Sequence, residues 1–131
     1  PKSYDRGVPV EEGSPGQGDL LIVPGPFGLR WSGRLIPRLE TGELAAYDPP
    51  DERRVRRWLA LAPRVGGHAF VKLFSHGTQE KNSRLLLQGG LDDLFSAFER
   101  ETARLGIHLR YVTAWEMRRA IDCAARGETM E

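Results

Sequence analysis

The sequence predicts an α/β fold with about three parallel strands and flanking helices, forming an incomplete barrel or an open sheet that lacks neighbours. Three observations lead there. Apolar, β-prone runs occur at 19–23 (DLLIV), 68–74 (HAFVKLF) and 107–112 (IHLRYV). Each is followed, directly or after an excursion, by a stretch with helical apolar spacing. Alternation of strand and helix is the pattern of right-handed crossovers onto a parallel sheet.

Residues 1–18 hold three prolines and four glycines and almost no apolar periodicity, so an extended N-terminal arm is expected there. The run 19–23 ends at Pro24-Gly25-Pro26, as a strand buried on both faces would. From Phe27 to Pro50 the apolar residues follow no clean period, which reads as a long excursion with one helical turn. Asp51 can cap a helix in which Val55, Trp58, Leu59 and Ala62 share a face before Pro63 stops it. Arg53, Arg54, Arg56 and Arg57 lie mainly off that face and read as solvated. Gly66-Gly67 introduces the second strand, which ends at Ser75-His76-Gly77. A second helix is expected from about Asp92, with Leu94, Phe95, Phe98, Thr102 and Leu105 on one side and Gly106 as its C-terminal cap. After the third strand, T-A-W-E from Thr113 to Glu116 forms a capping box that opens a last helix through Met117, Ala120, Ile121 and Ala124.

At 131 residues the chain has the size of one domain with one core. No apolar run approaches the roughly 20 residues of a membrane helix. Nineteen basic against 18 acidic residues leave a net charge of +1, which creates no field to gather nucleic acid. Cys123 stands alone, so it has no internal disulfide partner, and its helical setting suits a small packed side chain. Cysteine scarcity agrees with a reducing cytoplasm and slightly favours it, while one cysteine is also compatible with export, so localisation is not fixed. The start at Pro1, without a methionine or leader, reads as an interior point of a longer protein.

In parallel α/β folds reactive groups gather at the C-terminal ends of strands. Of the three expected ends only Ser75-His76-Gly77 offers a side chain that exchanges a proton near neutral pH, with an ordinary value of about 6.5. His76 is therefore expected in a crevice at the mouth of the sheet. The loop 75–82 is also rich in polar groups, among them Gln79, although a solvated connection would look the same. Trp115 sits in the first turn of the last helix, where it can stack on a pyranose or simply cover the helix end.

From Gly18 onward, the segments Gly18–Pro26, Pro49–Ala62, Phe70–Glu80 (FVKLFSHGTQE) and Tyr111–Met117 resemble the C-terminal part of polysaccharide deacetylase-like (NodB-type) proteins, particularly a bacterial branch. FVKLFSHGTQE is the most specific part. The resemblance implies that residues 19–131 are the C-terminal part of a partial (β/α) barrel of the glycoside hydrolase/deacetylase type. It also implies hydrolysis of acetamido groups on an N-acetylated polysaccharide or oligosaccharide. At the spacing LxxH, Leu73 would wall the acetyl pocket and His76 would protonate the leaving amine; Gln79 and Trp115 are further candidates for substrate contact. The family's metal motifs would lie upstream of this chain. No metal ligand is assigned here: a divalent metal, zinc first, is expected only in a catalytic full-length parent. His68 and His108 do not share His76's end of a strand, since successive residues rise about 3.3 Å. The chain alone is thus expected to be inactive and incomplete, with a missing N-terminal segment or another subunit completing the barrel. The alternatives are a non-catalytic barrel that binds polysaccharide or an assembly partner, and a small autonomous binding module.

Overall fold

The computed structural model describes residues 8–16, 18, 20–31, 36–77 and 79–129. The elements are β1 (Phe27–Arg30), β2 (Arg38–Thr41), α1 (Glu52–Leu61), β3 (Arg64–Val65), β4 (His68–Ala69), α2 (Glu80–Leu85), α3 (Leu91–Leu105) and α4 (Ala114–Ala125), with a π-type turn over Leu86–Gly90 between α2 and α3.

Among the described residues the parallel sheet and the partial (β/α) barrel are not formed. Among the described residues β1 pairs antiparallel with β2, and β3 with β4, as two separate hairpins. Of the three apolar runs expected to be strands, only His68–Ala69 enters a ladder. Parallel pairing is confined to one isolated bridge between Glu43 and Phe74. The physical reasons are local. Gly66 (φ 53°) and Gly67 (φ 80°) adopt the left-handed backbone that a two-residue hairpin turn requires, so Arg64–Ala69 folds on itself instead of feeding a distant crossover. The run at 20–23, expected to be buried on both faces, instead alternates: Leu21 and Val23 pack inward while Leu20 and Ile22 are 69% and 78% exposed. Pro24 and Pro26, which lack an N–H, follow directly.

The chain divides into two compact units, each with its own buried cluster where one core was expected. One comprises Pro24–Pro63 and Val71–Arg110. Its core is Leu44, Val55, Trp58, Leu59, Leu94, Ala97 and Phe98, flanked by half-buried Val71, Leu73, Leu86, Leu91 and Leu109. The expected helix appears as α1: the Asp51 carboxylate accepts from the Arg54 N–H at 2.7 Å, and Val55, Trp58 and Leu59 face the core. The second helix appears as α3 and ends in a Schellman motif on Gly106 (φ 66°), whose N–H donates to Ala103 while the Ile107 N–H donates to Thr102. The sequence reading passed over α2, because Gly89-Gly90 marks a break that hides the short helix before it. A Cβ at Gly90 would stand 2.2 Å from the Leu85 carbonyl oxygen, so the kink requires glycine.

The other unit holds the described residues up to Val23, Arg64–Phe70 and those from Tyr111. Its cluster is Val65, Phe70, Ile121, Ala124 and Ala125, with Val10, Leu21, Val23, Met117 and Ala120 against it. The capping box opens α4 as expected, with the Thr113 N–H donating to Glu116 at 2.7 Å and the Glu116 N–H to the Thr113 hydroxyl at 3.3 Å. Cys123 is half-buried on this helix. The expected extended arm is in part tied down, since the Gly13 N–H donates to Ala125 at 2.8 Å.

No helix among the described residues is long and apolar enough to cross a membrane.

Candidate functional site

The chemistry-bearing residues of the larger unit come together where chain 42–48 runs beside chain 74–82. Gly42 makes this approach feasible. A Cβ there would lie 2.7 Å from the Lys72 carbonyl oxygen and 3.1 Å from Pro26, and the bare backbone lets the Gly42 C=O accept from the Phe74 N–H at 2.9 Å. The Leu44 N–H donates to Phe74 at 2.8 Å, and the Ser75 hydroxyl donates to the Leu44 C=O at 2.8 Å. These three bonds fix Glu43 next to the chain that carries His76.

A second clamp comes from Asn82, 2% exposed. Its side-chain oxygen accepts from the Ala46 N–H at 2.9 Å, and its NH₂ donates to the His76 C=O at 3.3 Å and the Gln79 side chain at 3.2 Å. The backbone on both sides of the site is therefore held by one buried amide.

On this frame the His76 Nε2 lies 3.9 Å from the Glu43 carboxylate, within ion-pair reach when the imidazole is protonated but longer than a hydrogen bond. The His76 side chain is 64% exposed and that of Glu43 20%, so the histidine faces solvent with a carboxylate behind it. Phe74 meets the imidazole edge-on, ring centres 6.0 Å apart. The Tyr47 hydroxyl donates to the other Glu43 oxygen at 2.5 Å. An imidazole with a carboxylate at its back and an open front can hold a proton and pass it to a solvent-borne group.

Each residue singled out from the sequence has a definite place. His76 is in this cluster. Gln79 precedes α2; its N–H donates to the His76 C=O at 3.1 Å and its side chain binds Asn82, so it is engaged in holding the loop. Leu73 is half-buried against the Leu44–Trp58 core. Trp115 belongs to the smaller unit, in the first turn of α4, and is 70% exposed. The expected setting of His76, a crevice at the mouth of a parallel sheet, does not exist because that sheet is absent. Among the described residues, one concavity of about 170 Å³ is bordered by Asp51, Val55, Asp93 and Ala97 and another of about 280 Å³ by Glu12, His68 and Glu128; His76 lines neither of these. Sequence reasoning missed Glu43, Tyr47 and Asn82. An exposed Tyr four residues after a Glu is a faint signal, and nothing local announces that the Glu meets residue 76.

Among the described residues no group of three or more His, Cys, Asp or Glu side chains could hold a metal ion. The metal that the family resemblance implies therefore finds no ligand set in the described part of this chain.

Comparison with protein-family models, curated proteins and solved structures returns no match for this chain.

The Tyr47–Glu43 bond has a titratable signature. It raises the Tyr47 pKa above the ordinary 10.0, chiefly because the hydroxyl donates to the Glu43 carboxylate. A group whose folded pKa is raised stabilises the fold below its unfolded value, and that contribution is lost as pH climbs through the folded one. Ultraviolet titration is therefore expected to show one tyrosine ionising later than a free phenol, and Glu43→Gln to return it toward 10.0. An unchanged curve in the variant would refute the bond.

Proposed function

We propose that the chain serves the hydrolysis of acetamido groups on an N-acetylated polysaccharide and contributes His76 as the group that protonates the departing nitrogen. The observation that carries this reading is the placing of a solvent-facing His76 against the Glu43 carboxylate, itself held by Tyr47. Water adds to the acetyl carbon, the C–N bond breaks, and its electron pair stays on the nitrogen. That nitrogen takes the His76 proton, and acetate and an amine leave. Glu43 at 3.9 Å is within ion-pair reach of His76 when the ring carries the proton that is to be transferred. Activation of the water falls to groups outside the described residues. The resemblance of FVKLFSHGTQE to the deacetylase motif supports the same assignment.

In a full-length parent that supplies the water-activating groups, acetate release from chito-oligosaccharides is expected to drop roughly 100-fold or more in His76→Gln with little change in KM, because the lost proton acts only in the transition state. Full activity in the variant overturns the assignment. A second reading is a polysaccharide-binding chain without turnover, favoured by the exposed indole of Trp115. Oligosaccharide binding that Trp115→Ala abolishes, with no acetate released by the wild type, would establish that alternative.

A further inference from the structure

The β1–β2 hairpin is a sheet with one face covered and one face bare. Register pairs Phe27 with Thr41, Gly28 with Glu40, Leu29 with Leu39, and Arg30 with Arg38. On the covered face Gly28 lies against Leu61 of α1, where a Cβ would stand 2.8 Å from the leucine side chain, and Glu40 and Arg30 are buried. The opposite face inverts ordinary amphipathicity. Phe27, Leu29 and Leu39 are 67%, 63% and 61% exposed, and Trp31, which continues the alternation of β1, is 64% exposed. A hairpin normally turns its polar face to water. A contiguous apolar face of this kind marks a contact surface.

We infer that this face packs on the same face of a second copy of the chain, forming a two-sheet sandwich about a twofold axis. Two features favour a second copy. The face made by Phe27, Leu29, Trp31, Leu39 and Thr41 contains no charged side chain, so superposing it on its own image brings no like charges together, and a net charge of +1 imposes little mutual repulsion. The available area is also of the right order. Phe27 and Trp31, each about two-thirds exposed, can bury roughly 100–170 Å² apiece, and with Leu29 and Leu39 beside them the face offers on the order of 500 Å² per partner, about 1,000 Å² in total, the low end for a specific interface. Sheets packed this way face each other about 10 Å apart, filled by just such alternating residues. A sugar ring would want hydrogen-bonding groups beside the aromatics, and the Leu29–Leu39 centre has none. The inference does not depend on the role of His76.

Sedimentation equilibrium of the whole chain across the micromolar range tests it. The mass is expected to move from 14.7 kDa toward twice that value as concentration rises. Leu29→Lys and, on the facing strand, Leu39→Lys each place two charges in a twofold contact and are expected to weaken association at least about 30-fold. Both positions are surface-exposed, and unchanged far-ultraviolet circular dichroism verifies the fold of each variant. Leu87→Lys, 75% exposed but outside the hairpin, is expected to leave association intact. A monomer at every concentration overturns the inference. So does association that survives both hairpin variants, or oligosaccharide binding that they abolish in a chain that never dimerises.

Discussion

Arg54→Met is expected to destabilise the chain by about 3–5 kcal/mol, the range for breaking a buried ion pair by removing one partner. The guanidinium is 3% exposed yet fully engaged. Its Nε donates to Glu40 at 3.0 Å, Nη2 to the carbonyls of Glu43 at 2.9 Å and Thr41 at 3.3 Å, and Nη1 to the Asp48 carbonyl. It also lies over the Trp58 ring, 4.7 Å from the centroid. Without it Glu40, 1% exposed, keeps, among the described residues, the Trp58 indole and the Arg30 guanidinium at 3.3 Å as partners. Three carbonyls lose a donor at the same time. Arg54→Lys should rescue little, since a point charge cannot reproduce a planar fork reaching several acceptors. Urea unfolding of the variants measures the effect, and a loss under about 1 kcal/mol would mean that the network is solvated and unimportant. Because Arg54 holds the Glu43 carbonyl, its removal should also loosen the carboxylate behind His76.

What could be read from the sequence was what the chain settles within a few residues. The Asp51 cap, the Gly106 terminus and the Thr113–Glu116 box each satisfy backbone groups with a partner at most five residues away, and all three stand where the spacing put them. The sheet failed for the opposite reason. Apolar runs at 19–23, 68–74 and 107–112 suggested central parallel strands, but a run tells only that some residues will be buried, not that a neighbouring strand exists to pair with them. The β1–β2 hairpin was hidden because its pattern is inverted: charged Arg30 and Glu40 turn inward and pair, Glu40 also with Arg54, while Phe27, Leu29 and Leu39 turn outward. Arg54 itself reads with its arginine neighbours as solvated, although it is buried and bonds Glu40 and three backbone carbonyls. His76 was visible as a histidine after an apolar run, whereas Glu43 and Asn82 reach it only through tertiary contacts that periodicity does not encode.

Trp58→Ala is expected to cost about 3–5 kcal/mol, the range for truncating a buried aromatic side chain. The side chain is fully buried, stacked with Phe98 at 6.2 Å between ring centres, and central to the cluster that joins α1 to α3. Its indole N–H also donates to Glu40 at 3.1 Å and to the Thr41 carbonyl at 2.9 Å, so truncation removes a donor from a buried carboxylate as well as leaving a cavity. Trp58→Phe separates the two contributions: it keeps most of the packing, and its expected loss of about 1–3 kcal/mol reports the missing donor. Combined with Arg54→Met, Trp58→Ala should be less than additive, because both side chains serve Glu40 and touch each other. Urea unfolding gives the energies, and fluorescence gives an independent check. Trp31 and Trp115 are 64% and 70% exposed in the single chain, so at concentrations below the association range the folded Trp58→Ala protein should emit at the long wavelength of water-exposed indole. An additive double mutant would break the proposed coupling through Glu40, and an unshifted emission would mean that Trp58 is not the buried tryptophan.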